Sequence, residues 1–259
     1  MNDIKYIFKK PFVLFEIENF LNNELYDGLK KNFPNFNDKI AYKSMTNFKN
    51  GKFAFDTQSD FYQKELKKNI HVKKLHGLIF SKEFFYFFYK KLYLEFIKSR
   101  SSDVKHIIKL LRLPRLVNKI DKDNFFHYFS IFTNIKIEIQ YSFMSNMSYI
   151  VPHTDSGEKL LSLMIYFPEY ENLDSKFYSK EINYGTSFWN SKISNFNNVH
   201  QEEDLRDNFK QNNHSLLKPK FTGNKLIGFL KSPYSWHSVE PIDVHDGYIR
   251  KSININFYF

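Results

Sequence analysis

The sequence predicts a mainly β fold with packed helices, with a jelly-roll or sandwich core preceded by a helical N-terminal part. Two observations carry this expectation. Residues 135–259 hold several short apolar runs with little helix between them, and IKIEIQYSF (135–143) alternates strictly, as a strand does. Residues 1–134 instead place apolar side chains at helical spacing, most clearly in Phe85, Phe88, Leu92 and Phe96. No Gly/Ser/Pro linker separates 99 from 135. The expectation is therefore a single domain over 1–259, with 1–134 mostly helical and 135–259 forming the β core.

The N-terminal part opens with a β-prone run, Phe12–Ile17, after Pro11. Asn22 or Asn23 can cap a helix whose apolar face is Leu21, Leu25, Leu29 and Phe33, stopped at Pro34. Residues 38–62 are polar and aromatic, and fit short strands or a mobile loop. Residues 64–80 and 82–99 read as helices. A third helix near 103–113 stops at Pro114. The aromatic stripe on 85–96 reads as core.

The second half supplies the further strand candidates LLSLMIYF (160–167), TSFWN (186–190), KLIGFL (225–230) and SININFYF (252–259). The polar stretch 191–222 reads as an insertion between strands with room for a short helix.

Composition narrows the function classes. The chain has 259 residues, enough for one large domain. Cysteine is absent, which excludes disulfides, thiolate nucleophiles and Cys-based zinc sites, so any metal must be held by His, Asp or Glu. No secretory leader or charge-free membrane span is legible, and a cytoplasmic protein without a membrane partner is the expectation. The net charge of +10 invites a nucleic-acid reading. The lysines are dispersed, however, as in Lys64, Lys67, Lys68, Lys73 and Lys74, and Lys, Asn, Ile and Phe rise together as A/T-rich coding produces. No specific nucleic-acid partner is expected.

Of nine histidines, His71, His76 and His106 lie among helical lysines and read as surface or satisfied core groups. His153 stands in Val-Pro-His-Thr-Asp after a strand and turn. In extended chain, residues i and i+2 point the same way, so His153 and Asp155 can face one metal ion. His237, in Ser-Trp-His-Ser-Val-Glu-Pro, follows the strand KLIGFL. Two His and one carboxylate on one face of a metal leave three coordination positions open, as in the facial triad of non-haem Fe(II) oxygenases. Zinc suits the same donors. Arg250 follows His237 by thirteen positions and opens the last strand, where it shares a face with Ser252. An arginine fork with a hydroxyl suits a buried carboxylate. A second possible ligand set, Asp243, His245 and Asp246, clusters near a glycine and reads as turn residues. Trp189, Tyr234 and Trp236 could line a substrate entrance or belong to the core. Residues 40–60 and 191–222 are lid candidates.

Taken together, QYSFMSNMSYIVPHTD, KLLSLMIYFPE, YGTSFWN, GNKLIGFLKSPYSWHSVEPI and GYIRKSININFYF resemble the Fe(II)/2-oxoglutarate-dependent dioxygenase superfamily, in its prolyl-4-hydroxylase-like branch. The resemblance covers 135–259 and, loosely, 10–35. It implies a double-stranded β-helix (jelly-roll or cupin-like) core plus N-terminal helices. It implies Fe(II) held by His153, Asp155 and His237, with 2-oxoglutarate and O2 consumed and succinate and CO2 released. Arg250, assisted by Ser252, would hold the distal carboxylate of 2-oxoglutarate. Tyr166 matches a tyrosine that reaches that carboxylate, and Tyr141 one that lines the co-substrate pocket. The substrate would be a peptidyl or free amino acid or a small metabolite, and the oligomeric state is not readable. Two departures stand out. The gap from His237 to Arg250 is long, which places extra residues at the turn 245–247. Nucleic-acid dealkylating relatives carry a second arginine six residues after the first, where this chain has Asn256. The alternative outside catalysis is a jelly-roll binding module, for example for carbohydrate, which needs neither the triad nor Arg-x-Ser.

Overall fold

The computed structural model describes residues 2–34, 52–118, 130–145, 147–168, 184–194, 206–242 and 249–259. Its framework is mainly β, with helices packed on one side. The strands are β1 (Lys5–Phe8), β2 (Leu14–Ile17), β3 (Lys52–Asp56), β4 (Leu113–Val117), β5 (Phe132–Met144), β6 (Ile150–His153), β7 (Lys159–Phe167), β8 (Ser187–Asn190), β9 (His214–Leu217), β10 (Leu226–Leu230), β11 (His237–Val239) and β12 (Arg250–Tyr258). The helices are α1 (Asn23–Lys31), α2 (Asp60–Lys68), α3 (Ile70–Ile79), α4 (Lys82–Ser99), α5 (Val104–Leu110) and α6 (Arg206–Asn212).

Two sheets form. The larger runs β1-β2-β10-β7-β12-β5-β3, with β4 also on β5, and the smaller runs β6-β11-β8-β9. Every pairing is antiparallel except β4 with β5. Four strands of the N-terminal part thus join the main sheet, so residue 135 marks no boundary within it.

The larger sheet sorts its side chains by parity, because successive strand residues point to opposite faces. Ile137, Ile139, Tyr141 and Phe143 of β5, Leu161, Leu163 and Ile165 of β7, and Ile253, Ile255 and Phe257 of β12 join the main hydrophobic cluster with α1, α3 and α4. Phe84, Phe85, Phe88, Leu92 and Phe96 of α4 are fully buried in it. Each such burial stabilises by roughly 1.5–3 kcal/mol, which gives the aromatic stripe its role. Gly228 of β10 makes this packing possible, since a Cβ there would lie 2.2 Å from the Phe15 ring and 2.8 Å from Leu163. The opposite face of the sheet meets the smaller one, with Leu14, Met164, Tyr166, Ile227 and Phe229 clustered around Phe188 of β8.

Local signals set the helix ends. Asn22 caps α1 by accepting from the Leu25 N–H. The expected helix over 64–80 divides at Asn69, which ends α2 and caps α3, accepting from the N–H groups of His71 and Val72. An asparagine side chain competes for backbone donors in this way and starts a new helix. The helix expected to reach Pro114 ends at Leu110, and Pro114 lies in β4. A strand paired on one side tolerates the missing N–H. The insertion 191–222 contains α6 and β9, the latter paired with β8. Among the described residues, no helix is long and apolar enough to cross a membrane.

Candidate metal and co-substrate site

His153 ends β6 and His237 begins β11, and the two stand opposite each other in the antiparallel register. Opposed residues project to one face, and their ring centroids are 4.2 Å apart. Asp155 follows two residues after His153. One ligand atom from each of the three lies within 4.8 Å of the others. The Asp155 Oδ2 is 3.8 Å from His237 Nε2.

Both imidazoles are oriented in the same manner. His153 Nδ1 is 2.9 Å from the Val151 carbonyl, and His237 Nδ1 is 3.0 Å from the Ser235 carbonyl. A carbonyl only accepts, so each Nδ1 carries the proton and each Nε2 presents its lone pair. This is the arrangement that metal-binding histidines use. Burial lowers the His237 pKa, with Asp155 pulling the other way, which favours the neutral, ligating form. Burial would raise the Asp155 carboxyl, but the Lys159 ammonium beside it outweighs this and holds the group well below the ordinary range.

The same cavity, of about 100 Å³, is lined by Arg250, Ser252 and Thr186. Arg250 is buried, and its Nε donates to the Tyr184 carbonyl at 2.7 Å. Its Nη1 lies 3.4 Å from Ser252 Oγ. The guanidinium sits 4.9 Å from the Phe221 ring centroid and 5.4 Å from that of Tyr166. Aromatic faces of this kind hold a cation in a water-poor place. The plane of the guanidinium is thus fixed by its neighbours.

The two tyrosines lie on opposite faces of the larger sheet. Tyr166 lies beside Arg250, and its hydroxyl is hydrogen-bonded to Thr186, which lines the cavity. Tyr141 requires a correction. It is on the helix-facing side of β5, stacked on Phe55 at 5.1 Å and edge-on to Phe33 at 5.3 Å. The reason is parity: Arg250 pairs with Met144 and Ser252 with Ser142, so the cavity face of β5 carries even-numbered residues. Trp189 and Trp236 form a small core with Phe209, while Tyr234 is partly exposed. His76 bonds to the Tyr62 hydroxyl and His106 Nδ1 to Asp103, while His71 Nδ1 and His106 Nε2 are buried without a hydrogen bond among the described residues, the latter 3.5 Å from a Glu158 carboxylate oxygen. Asp243, His245 and Asp246 lie outside the described residues, as do the turn 245–247 and, within the lid candidates 40–60 and 191–222, residues 40–51 and 195–205.

Sequence reasoning missed the polar wall of the cavity, formed by Lys52, Gln140, Ser162, Asn254 and Asn256, and with it Lys159. The signal was present in the alternation of SININFYF, which puts Asn254 and Asn256 on the face of Ser252. Lys52 Nζ donates to Gln140 at 3.2 Å. Burial, with Lys159 and Arg250 nearby, lowers the Lys52 pKa to about 8.

No protein-family model matches the chain, and no curated protein matches it. Solved structures similar to it include a prolyl-4-hydroxylase from Pseudomonas putida, at 12% identity and a TM-score of 0.42, covering 96% of this chain and 93% of that one. A 2OG-Fe(II) oxygenase family oxidoreductase from Burkholderia pseudomallei has 11% identity and a TM-score of 0.42, over 95% of this chain and 84% of that one. The non-heme alpha-ketoglutarate dependent carbocyclase SnoK has 8% identity and a TM-score of 0.46, over 95% and 79%. Likeness at this level decides no activity, so the functional reading rests on the geometry of the site.

Proposed function

We propose that this chain is an Fe(II)- and 2-oxoglutarate-dependent oxygenase that hydroxylates a small molecule or a peptidyl or free amino acid. Its two sheets are read as a double-stranded β-helix in a single domain. The observation that carries the proposal is the cluster of His153, Asp155 and His237 in one cavity with the buried Arg250.

The donor set fits the metal. Two neutral imidazoles and one carboxylate match a 2-His-1-carboxylate triad, which leaves three positions for the co-substrate's two donor atoms and for dioxygen. Bound Fe(II) with 2-oxoglutarate supplies the oxidising chemistry, through oxidative decarboxylation to succinate and CO2. The chain's own residues do the rest. The Val151 and Ser235 carbonyls aim His153 and His237. Arg250, with Ser252 beside it, would donate to the far carboxylate of the co-substrate and so orient it. Phe221 and Tyr166 cover the guanidinium and keep water from competing for it. Lys52, Gln140 and Asn254 offer hydrogen-bonding groups for a polar substrate. A binding module without catalysis has no use for the triad and the arginine together.

The test is a substrate screen scored by succinate release, with His237→Ala as the control. Substrate-dependent succinate from the wild type, absent in the variant, is expected. Equal release from both would sink the reading.

A further inference from the structure

The metal carboxylate is itself held by two neighbours. Lys159, the first residue of β7, places Nζ 2.9 Å from Asp155 Oδ1, and both side chains are nearly buried. Ser162 Oγ donates to Oδ2 at 3.1 Å. Oδ2 is also the oxygen on the His237 side. The two carboxylate oxygens are therefore not equivalent: one is turned toward the imidazoles and the other toward an ammonium. A buried charge-assisted hydrogen bond of this kind is strong and directional. Lys159 is held in turn by the backbone, since its carbonyl accepts from Arg100, whose Nη1 also donates to the Gly157 carbonyl at 2.9 Å.

From this geometry we infer that Lys159 is a positioning residue that restricts Asp155 to one-oxygen ligation of the metal. The inference rests on the oxygenase reading and deepens it. A carboxylate free to chelate with both oxygens would occupy one of the three positions that the co-substrate and dioxygen need. With Oδ1 committed to Lys159, only Oδ2 is offered. Lys159 lines the cavity, and its ion pair there is with Asp155, through which it acts on the metal site.

The probe is Co(II), bound to the full chain without oxygen and followed by its visible spectrum, with 2-oxoglutarate then titrated in. Wild type, Lys159→Met and Lys159→Arg are compared, with circular dichroism as a check of folding. Lys159→Met should bind Co(II) within about threefold of wild type but need at least about tenfold more 2-oxoglutarate, near 1.4 kcal/mol. Lys159→Arg should restore most of that affinity, because it keeps a charged donor for Oδ1. Unchanged 2-oxoglutarate affinity in folded Lys159→Met overturns the inference. So does loss of Co(II) binding by that variant, which would make the lysine a structural support of the metal site. Should Lys159→Met not fold, a crystal structure of Co(II)-loaded wild type decides: Asp155 bound through one oxygen supports the inference, and through both overturns it. Wild type that binds no Co(II) removes the metal site and the oxygenase reading with it.

Discussion

His153 and Asp155 were legible as a pair in the sequence because their spacing is a short-range matter, whereas His237 was read from its place after a strand and is brought to them by the β6–β11 pairing. An i, i+2 pair on extended chain shares a face whatever the rest of the fold does. Tyr141 was not legible in the same way. Which face of β5 meets the cavity depends on its register with β12, a pairing of residues more than a hundred positions apart. Lys52 and Lys159 were missed because an isolated lysine reads as solvated, and only the folded chain shows both at the cavity. The residue-scale prediction concerns Arg250. Arg250→Lys keeps the charge but loses the planar fork that Tyr184, Phe221 and Tyr166 hold in place. The apparent affinity for 2-oxoglutarate should fall about tenfold or more, roughly 1.4 kcal/mol, while metal binding persists. Anaerobic titration measures both quantities, and an unchanged co-substrate affinity would remove Arg250 from the site.

At the scale of elements, the helices and many of the strands followed from periodicity, the short β2 and β8 among them, whereas β4, β9 and the helix break did not. The runs 135–143, 160–167 and 225–230 lie within β5, β7 and across β10. β4 and β9 were hidden, the first by a proline and the second by its brevity inside a polar stretch. The break at Asn69 is a small effect that periodicity over 64–80 overrode. Its side chain accepts from His71 and Val72 and donates to the Asn32 carbonyl at 2.8 Å, which ties α3 to the end of α1. Asn69→Ala should therefore cost about 1 kcal/mol, with a range of roughly 0.5–2. Urea denaturation followed by circular dichroism measures this cost. A variant as stable as wild type would show that the cap contributes nothing to α3.

On the scale of the whole molecule, the helical part and the β part share one hydrophobic cluster. We expect them to fold as one unit. A fragment of residues 135–259 would lose β1 to β4 from the main sheet and would expose Ile137, Ile139, Leu163 and Ile255, all buried beneath helices in the full chain. Exposed apolar surface of that kind aggregates or prevents folding. The fragment should therefore be insoluble or show no cooperative thermal transition, and a soluble, cooperatively melting fragment would contradict this. The same packing explains the high aromatic content, 19% of residues, which composition alone could not assign to any structure.

The most direct measurement of the central claim is an anaerobic titration of the purified chain with Fe(II) and 2-oxoglutarate, followed by visible absorption. The triad and Arg250 in one cavity predict a weak metal-to-ligand band that needs both additions, saturates at one equivalent of each, and disappears in His153→Ala and His237→Ala. A chain that gives no band with both present, or that keeps the band after either histidine is removed, would contradict the account.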